Sequence, residues 1–302
     1  MTSAAPPATL AENLRGAGFI SLSMFGFAVN DALMKLLAPE TGLFQAIFTR
    51  GCMATLLIAL LAWRMGALTR LPPREDAPHL MLRAGAEVAA TYCYLTALMH
   101  LPLAEVSAIA QTMPLAITLA GALFLGERVG WRRWAAIAAG FLGVLIILRP
   151  GIAAFQPAAV YAIAGVGFFV VRDLSTRRLS KATPSLLVTL LTAATVTGMG
   201  GVGAVADGVW NPMTGWQIAG LAAAAGTVLV GYYFSISGMR TGDVGFISPF
   251  RYTVLIWAML LGFLMFGERP DAFTWTGAAL IVAAGLYAFQ RERRLARAAA
   301  GA

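Results

Sequence analysis

The residues best suited to chemistry in this sequence are charged side chains placed inside long apolar runs. Asn30-Asp31 interrupts one run and Arg172-Asp173 interrupts another, while Arg50 and Arg251 are isolated guanidiniums in two more. A charged group at the centre of a membrane helix costs roughly 2.5–3.5 kcal/mol, so it normally faces the protein interior or water. The pattern therefore predicts a polar site enclosed by helices.

This set of residues favours solute binding over catalysis. The chain has two histidines, His79 and His100, and no combination of nucleophile, base and orienting group is evident. Cys52 and Cys93 lie in apolar runs, where we interpret them as small packing residues. We predict no enzyme activity, no cofactor and no metal site. The predicted substrate-binding residues are Asn30, Asp31, Tyr94, Gln111, Phe168, Arg172, Asp173, Tyr232, Tyr233, Phe250, Arg251 and Tyr252.

The charged pairs also have structural interpretations. Asp31 and Lys35 are spaced i and i+4, an order that favours a local ion pair, and a proton or cation site is the alternative. Arg172 and Asp173 point about 100° apart on a helix, so we do not expect both to face one neighbour. They are expected either to pair with the first span or to contact substrate.

The remaining interior charges lead to three further expectations. Arg50 is expected to pair with Asp31 or Glu87, and Arg83 with Glu87 one turn away. Arg251 follows Pro249, and a proline frees a backbone carbonyl, so Arg251 is predicted to help form a carboxylate cradle, with Arg172 as a second candidate. Acidic residues at span ends are expected to cap helices or form turns: Glu105, Glu127, Asp243 and Glu268.

The elements that must position these residues are membrane helices. The chain has 302 residues, of which 59% are hydrophobic and 12% are charged, whereas about a quarter of a soluble domain is charged. Apolar runs of roughly 18 or more residues recur along the chain. We predict an all-α polytopic protein in the lipid bilayer with ten spans: 16–37, 43–63, 79–100, 103–125, 131–148, 158–175, 185–205, 216–237, 244–266 and 273–289.

The basic residues predict orientation and exclude a nucleic-acid partner. The formal charge is +8, but 15 basic residues outside the predicted spans lie on one side and only Arg149 and Arg269 lie on the other. By the positive-inside rule, both termini are predicted to be cytoplasmic. Residues 1–15 and 291–302 are then cytoplasmic tails, and the first span acts as its own insertion signal.

The sequence repeats itself at an offset of about 140 residues. Gly126-Glu127-Arg128 returns as Gly267-Glu268-Arg269, and Trp134 returns as Trp275. Matches in the same order indicate duplication of the whole chain. The predicted repeats are 16–151 and 152–290. Because each holds five spans, the second is predicted to cross the membrane inverted, an arrangement found in many secondary transporters. Small residues in the fifth and tenth spans suit helix packing or a homodimer face.

These residues also resemble a known family. Pro114-Leu115, Leu125 with the Gly-Glu-Arg turn, Trp134, and Gly143-Val144 are similar to the signature of EamA-type transporters of the drug/metabolite transporter superfamily. The second half differs because Pro249 lies earlier in its span, so the two fourth spans are expected to bend at different depths. The pattern is most similar to that of YddG-type exporters, which implies export of aromatic or apolar amino acids and cationic aromatic drugs across a bacterial inner membrane.

Two other functions stay open from the sequence. An uptake carrier of the same fold, for a vitamin or cofactor such as riboflavin or S-adenosylmethionine, would have the same sequence features. A membrane enzyme or scaffold would need a buried hydroxyl or histidine cluster or a long soluble appendage, and neither is evident.

Overall fold

The structure is a computed structural model that describes residues 9–66, 72–124, 126, 130–149, 156–180, 182–208 and 210–300. Every regular element in these residues is helical. The helices are α1 Leu10–Thr41, α2 Leu43–Arg64, α3 Ala77–His100, α4 Leu103–Ala110, α5 Met113–Phe124, α6 Trp131–Leu148, α7 Ala159–Arg177, α8 Ser185–Ala206, α9 Gly215–Thr241, α10 Val244–Ile247, α11 Thr253–Phe266 and α12 Ala272–Ala300; 3-10 turns cover Arg74–Asp76 and Ser248–Tyr252.

Within the described residues, nine helical segments are long and apolar enough to cross a membrane. Two of them join shorter elements, Leu103–Phe124 and Ser248–Phe266. The predicted span that is missing from this set is the third, 79–100, which corresponds to the 24-residue helix α3. Arg83 and Glu87 lie inside α3 and lower its hydropathy. The multi-pass helical architecture is confirmed, and a membrane-spanning position for α3, which would bring the count to ten, stays a prediction.

Two helices extend beyond the predicted limits, and a local cap explains the first. Thr9 and Glu12 form a capping box, because the Glu12 amide donates to Thr9 Oγ1 at 3.3 Å and the Thr9 amide donates to Glu12 Oε2 at 2.7 Å. This fixes the start of α1 six residues before the predicted span. At the other terminus, α12 continues as a helix to Ala300, whereas the sequence predicts a tail from residue 291.

The helices pair across the two halves of the chain in a symmetrical pattern. The largest contacts join α1 with α9, α3 with α7, α2 with α8, and α6 with α12, while α4 contacts α11. If each first-half helix is exchanged for its counterpart, the pair α1–α9 becomes α7–α3, and the pairs α2–α8 and α6–α12 map onto themselves. This is the pattern that a duplication related by a two-fold axis produces, and it matches the repeat at an offset of about 140 residues.

Small residues permit the closest of these contacts. A Cβ atom on Gly143 of α6 would lie 2.8 Å from the Gly277 carbonyl oxygen of α12, a distance that real Cβ atoms do not show. Glycine at both positions lets the two backbones approach, as in other membrane helix pairs. The expected packing role of the fifth and tenth spans is therefore observed inside the monomer.

The fourth span is broken in both halves, and in the first half the break lies before Pro114. Gln111 and Thr112 separate α4 from α5, and a 3-10 turn around Pro249 separates α10 from α11. At the 138-residue offset of this region, Gln111 corresponds to Pro249, so both breaks begin at equivalent positions. The expectation of bends at different depths is wrong, because the break in the first half precedes Pro114 instead of coinciding with it.

The repeated Gly-Glu-Arg turn is only partly described. Gly126 has φ +67° and Gly267 has φ +66°, a left-handed conformation that favours glycine after a helix. Glu127 and Arg128 lie outside the described residues. The second copy shows that Glu268 does more than cap its own turn, because it contacts other helices.

The helix ends gather into two groups, which we name the latch end and the cavity end. At the latch end, Lys35 of α1 lies near Glu268, which precedes α12, and Glu268 also contacts Leu103, which begins α4. At the cavity end, Asp76 before α3 accepts hydrogen bonds from Ser180, which follows α7. The charged cavity of the molecule opens on the side of this second group.

Candidate functional site

A cavity of about 340 Å³ lies between α2, α3, α7, α8 and α9, so both halves contribute to it. This volume is within the range of about 300–1,000 Å³ that is typical of small-molecule sites. The cavity extends toward the cavity end as far as Thr176 in the last turn of α7. The polar lining residues are Arg50, Arg83, Glu87, Thr91, Arg172, Asp173, Thr176, Thr189, Thr192, Thr197 and Tyr232.

The first polar group behind the cavity joins three helices of the first half. Arg50 Nη1 on α2 donates to Asn30 Oδ1 at 2.9 Å, and Asn30 Nδ2 donates to Asp31 Oδ1 at 2.9 Å. Tyr94 on α3 donates its hydroxyl to Asp31 Oδ2 at 2.7 Å. Asp31 therefore accepts hydrogen bonds at both carboxylate oxygens, and Asn30 bridges Asp31 and Arg50. Arg50 lies near Asp31, one of its two expected partners, but bonds directly to Asn30.

The second polar group joins α3 with α7 across the two halves. Arg172 Nε donates to Asp173 Oδ1 at 2.8 Å, and Arg172 Nη1 lies 3.2 Å from Glu87 Oε2 and 3.4 Å from Oε1. Its guanidinium also lies 4.6 Å from the ring centre of Phe169. Arg172 reaches Glu87 on the partner helix, as expected of one of the two residues, and its flexible side chain also folds back onto Asp173. Their partner helix is α3, not the first span.

Arg83 is the least paired guanidinium of the cavity. Arg83 Nη1 lies 3.7 Å from Glu87 Oε2, which confirms the predicted pair but is too long for a hydrogen bond. Its Nε and Nη1 atoms are buried, and within the described residues neither has a hydrogen-bond acceptor. Glu87 is shared with Arg172, which lies closer. Arg83 is therefore a buried donor with unused capacity.

The threonines of the lining present acceptors. Thr176, Thr189, Thr192 and Thr197 each donate the hydroxyl proton to the carbonyl four residues earlier, at 2.7 to 3.0 Å. A hydroxyl whose proton is committed to its own helix can still accept a hydrogen bond. The lining thus offers guanidinium donors on α2, α3 and α7 and hydroxyl acceptors on α7 and α8.

Several predicted site residues lie elsewhere. Gln111, Arg251 and Tyr252 line a separate pocket of about 270 Å³ between α5, α9 and α12, where Arg251 is exposed and its Nη2 atom lies 3.9 Å from the Met239 sulphur. The structure therefore separates Arg251 from Arg172, its suggested partner in the cradle. Phe250 instead stacks on Phe246.

The predicted aromatic residues also divide into two groups. Tyr232 lines the charged cavity and packs edge-to-face on Phe27, with ring centres 5.2 Å apart. Tyr94 packs on Phe169 at 6.1 Å. In contrast, Phe168 and Tyr233 do not line this cavity, and Tyr233 is 67% exposed. The second and seventh spans, α2 and α8, hold none of the predicted site residues, yet both line the cavity.

Arg83 and Glu87 are cavity residues that sequence reasoning assigned to a structural pair. A signal was present, because a predicted span that carries two charges is expected to face the protein interior. The five threonines of the lining had no such signal, since threonine is common in membrane helices. Only the packing of α8 against α2 brings Thr197 to the cavity.

The latch end closes the side of the molecule opposite the cavity, through contacts between the two halves. Lys35 Nζ lies 2.7 Å from Glu268 Oε1 and donates to the Leu101 carbonyl, while Glu268 Oε2 accepts from the Leu103 amide at 2.7 Å. The pair is largely buried, with the two side chains 12% and 16% exposed. The predicted Asp31–Lys35 pair is wrong, because the two side chains find partners on other elements.

A second contact at the latch end involves Asp271, which lies outside the apolar helices. Asp271 forms an ion pair with Arg149 and accepts from the Thr274 amide at 2.9 Å. Burial raises the pKa of the Asp271 carboxyl, but the hydrogen bonds from Thr274 and Arg149 outweigh it, so the net pKa is lowered. Asp271 is therefore held as the anion that this contact requires.

The fold and the charged cavity between apolar helices define a multi-pass membrane transporter. A family model described as the EamA-like transporter family matches residues 14–149 and again 156–289. The chain belongs to the EamA-like transporter family. The two matches correspond to the two repeats inferred from the sequence.

Named relatives span nearly the whole chain. A riboflavin transporter of Rhizobium johnstonii is 30% identical over 92% of this chain and 90% of its own length. A pseudopaline exporter, CntI, of Pseudomonas aeruginosa is 30% identical over 87% and 92%. An S-adenosylmethionine uptake transporter of Rickettsia felis is 24% identical over 93% and 94%.

A solved crystal structure supports the fold. It superposes with a TM-score of 0.62 at 19% sequence identity and covers 92% of this chain and 98% of that chain. At this identity, the likeness concerns the fold alone.

Proposed function

We propose that this transporter exports small metabolites across the bacterial inner membrane, with amino acids that carry aromatic or apolar side chains and amphipathic drugs as substrates. The observation that carries the proposal is the charged cavity of about 340 Å³ between both halves. Charged residues in membrane helices usually mark a solute or ion pathway. Tyr232 adds an aromatic wall, and Arg172 and Asp173 add both signs of charge.

The proposed mechanism is alternating access between two inverted repeats. A cavity on one side and the closed Lys35–Glu268 contact on the other support this mechanism. Because the helix pairs are symmetrical on exchange of the halves, the opposite state can form by rearranging the same contacts. The proposal has ten spans, including α3, and places the cavity end and both termini in the cytoplasm. A homodimer stays a prediction that light scattering in detergent tests.

The topology has a direct test. Single cysteines at Arg132 and at Asp271 are labelled from either side of the membrane with an impermeant maleimide. We expect the two positions to react from opposite faces, because Trp131 begins α6 and Ala272 begins α12 in opposite repeats. Labelling of both positions from one face would contradict the inverted arrangement.

The direction and the substrate have a growth test. Cells that overproduce the protein are grown on toxic analogues of aromatic amino acids. Export predicts resistance, and the cells should accumulate less labelled phenylalanine than control cells do. Greater sensitivity would contradict export and favour uptake, the alternative that the names of the riboflavin and S-adenosylmethionine relatives suggest.

The second pocket tests the proposed role of Arg251. If substrate passes Gln111, Arg251 and Tyr252, then Arg251→Ala should lower phenylalanine counterflow in proteoliposomes at least tenfold. Arg240→Ala, which removes a basic residue of α9 outside both pockets, is the matched control. Unchanged counterflow in Arg251→Ala would remove this pocket from the pathway.

A further inference from the structure

We propose that Arg83 binds the carboxylate of the transported solute, so that the cavity recognises a zwitterion with a fixed orientation. This inference rests on the proposed function, because it assigns a role within the same cavity. The sequence instead pointed to Arg251 and Arg172 as the carboxylate cradle. The structure favours Arg83 because of how the carboxylates of the cavity are distributed.

The cavity lining has three guanidiniums, Arg50, Arg83 and Arg172, but two carboxylates, Glu87 and Asp173. Arg172 lies closer to Glu87 than Arg83 does, and it donates a hydrogen bond to Asp173. Arg50 is held by Asn30, which is itself bonded to Asp31 behind the lining. Arg83 is left with one oxygen of Glu87 at 3.7 Å.

The unused capacity of Arg83 matches a carboxylate ligand. A guanidinium in a dry environment is strongly stabilised by a bidentate carboxylate. Both Arg83 Nε and Nη1, two nitrogens of the fork, have no acceptor among the described residues. Because both atoms are buried here, a solute carboxylate would complete both bonds once Arg83 rotates its fork toward the cavity. Buried donors without acceptors are rare in proteins and call for such a partner.

The other groups of the cavity suit the remaining parts of a zwitterion. Asp173 is 30% exposed, twice the 15% of Glu87, and it uses Oδ1 for Arg172, so it is the carboxylate more open to an ammonium group. The threonine oxygens of α7 and α8 accept hydrogen bonds. Tyr232 presents a ring for an apolar or aromatic side chain. The inferred ligand is an α-amino acid, held by its carboxylate at Arg83.

Three matched solutes separate these contributions. L-Phenylalanine has both charges, 3-phenylpropionate lacks the ammonium group, and 2-phenylethylamine lacks the carboxylate. Their affinities are measured by calorimetry on the purified full chain in detergent. In the wild type, we expect phenylalanine to bind tightest and 3-phenylpropionate to bind tighter than 2-phenylethylamine.

Arg83→Gln should weaken the binding of phenylalanine and 3-phenylpropionate at least tenfold. It should change the affinity for 2-phenylethylamine less than twofold. Arg83→Lys should recover part of the loss, because it keeps the charge without the fork. Arg64→Gln, at the exposed end of α2, is the control and should change none of the three affinities. An equal loss for all three solutes would show a structural role and overturn the inference, as would unchanged phenylalanine affinity.

Glu87→Gln supplies a test that does not depend on the stability of the Arg83 variants. Glu87 competes with the ligand carboxylate for Arg83, so its neutralisation should strengthen 3-phenylpropionate binding several-fold. A weaker affinity for 3-phenylpropionate would overturn the inference. If the wild type binds 2-phenylethylamine but neither carboxylate, or binds none of the three, the carboxylate subsite is also overturned. The growth test then still decides whether the protein exports other solutes.

Discussion

The two ends of the molecule are held together by different chemistry. At the latch end, Lys35 and Glu268 form a largely buried ion pair that joins α1 to the loop before α12. At the cavity end, the Asp76 carboxylate accepts from Ser180 and Thr183 without a basic partner within hydrogen-bond distance among the described residues. Both contacts join the two halves. We infer that the halves are held together more strongly at the latch end than at the cavity end.

The physical reason lies in the cost of separating each contact. Removing one partner of a buried ion pair costs about 3–5 kcal/mol, because the other charge is left without compensation. Asp76 is 4% exposed, but it lies in the turn before α3 and outside the apolar helices, so a carboxylate that loses its neutral donors there can be rehydrated by water at lower cost. The latch end is therefore expected to control which face is open, and the cavity end is expected to contribute stability without control of access.

The largest effect is expected from Glu268→Gln. The change leaves the Lys35 ammonium without its anion, so the closed state of the latch end should lose most of its advantage. A cysteine at Leu101, which is 2% exposed, should then react with maleimide at least tenfold faster. The measurement uses a background in which Cys52 and Cys93 are replaced by alanine.

The matched control for this variant is Glu40→Gln at the same end. Glu40 accepts from Gln217 at 2.9 Å but forms no ion pair with the described residues. We expect its labelling rate to stay within twofold of the reference. Equal acceleration by both variants would show that loss of any acidic residue loosens this end, and the special role of Glu268 would be rejected.

A smaller effect is expected from the charge exchange that combines Lys35→Glu with Glu268→Lys. The exchange restores opposite charges, but a lysine at 268 cannot accept from the Leu103 amide as Glu268 does. Labelling at Leu101 should therefore fall between the wild type and Glu268→Gln. No recovery relative to Glu268→Gln would indicate that the amide contact, and not the ion pair, holds this end closed.

Asp76→Asn at the cavity end should lower stability without opening the latch end. The side chain accepts from Ser180 Oγ at 2.8 Å and from the Thr183 hydroxyl. A neutral amide is a weaker acceptor than a carboxylate, so these bonds weaken and the melting temperature in detergent should fall by a few degrees. A labelling rate at Leu101 that rises as far as in Glu268→Gln would contradict the division between the two ends.

The pH dependence of this contact gives the smallest effect. Hydrogen bonds from Thr183 and Ser180 lower the pKa of the Asp76 carboxyl below its ordinary value, which is about 3.9. A lowered folded pKa means that the stabilisation is complete above about pH 4 and is lost as the pH falls through the folded pKa. The difference in melting temperature between the wild type and Asp76→Asn should be constant from about pH 5 to 8. A difference that varies over this range would contradict the assignment.

Much of the fold follows from the sequence, because its signals are local. Hydropathy locates the spans, and the repeated Gly-Glu-Arg turn indicates the duplication that the two family matches confirm. The paired positions Gly126 and Gly267 share a left-handed conformation, as expected for equivalent turns. The break at Gln111 was missed because Pro114, the visible signal, follows it.

The site was harder to predict from the sequence, because its contacts join distant parts of the chain. The i, i+4 rule gave Arg83–Glu87 correctly but failed for Asp31–Lys35. Lys35 lies at the end of α1, where Glu268 from the other half comes closer than Asp31 does. Local spacing predicts a pair only where tertiary packing supplies no better partner.

The sequence by itself determined that this protein is a duplicated bundle of membrane helices with charges inside them, since hydrophobic length and repeated motifs are properties of short segments. Only the tertiary structure decided that Arg83 lacks acceptors among the described residues, that Arg251 lies in another pocket, and that Lys35 pairs with Glu268. The reason is that a buried charge takes its partner from whichever helix packs nearest, and that neighbour is set by the arrangement of both halves.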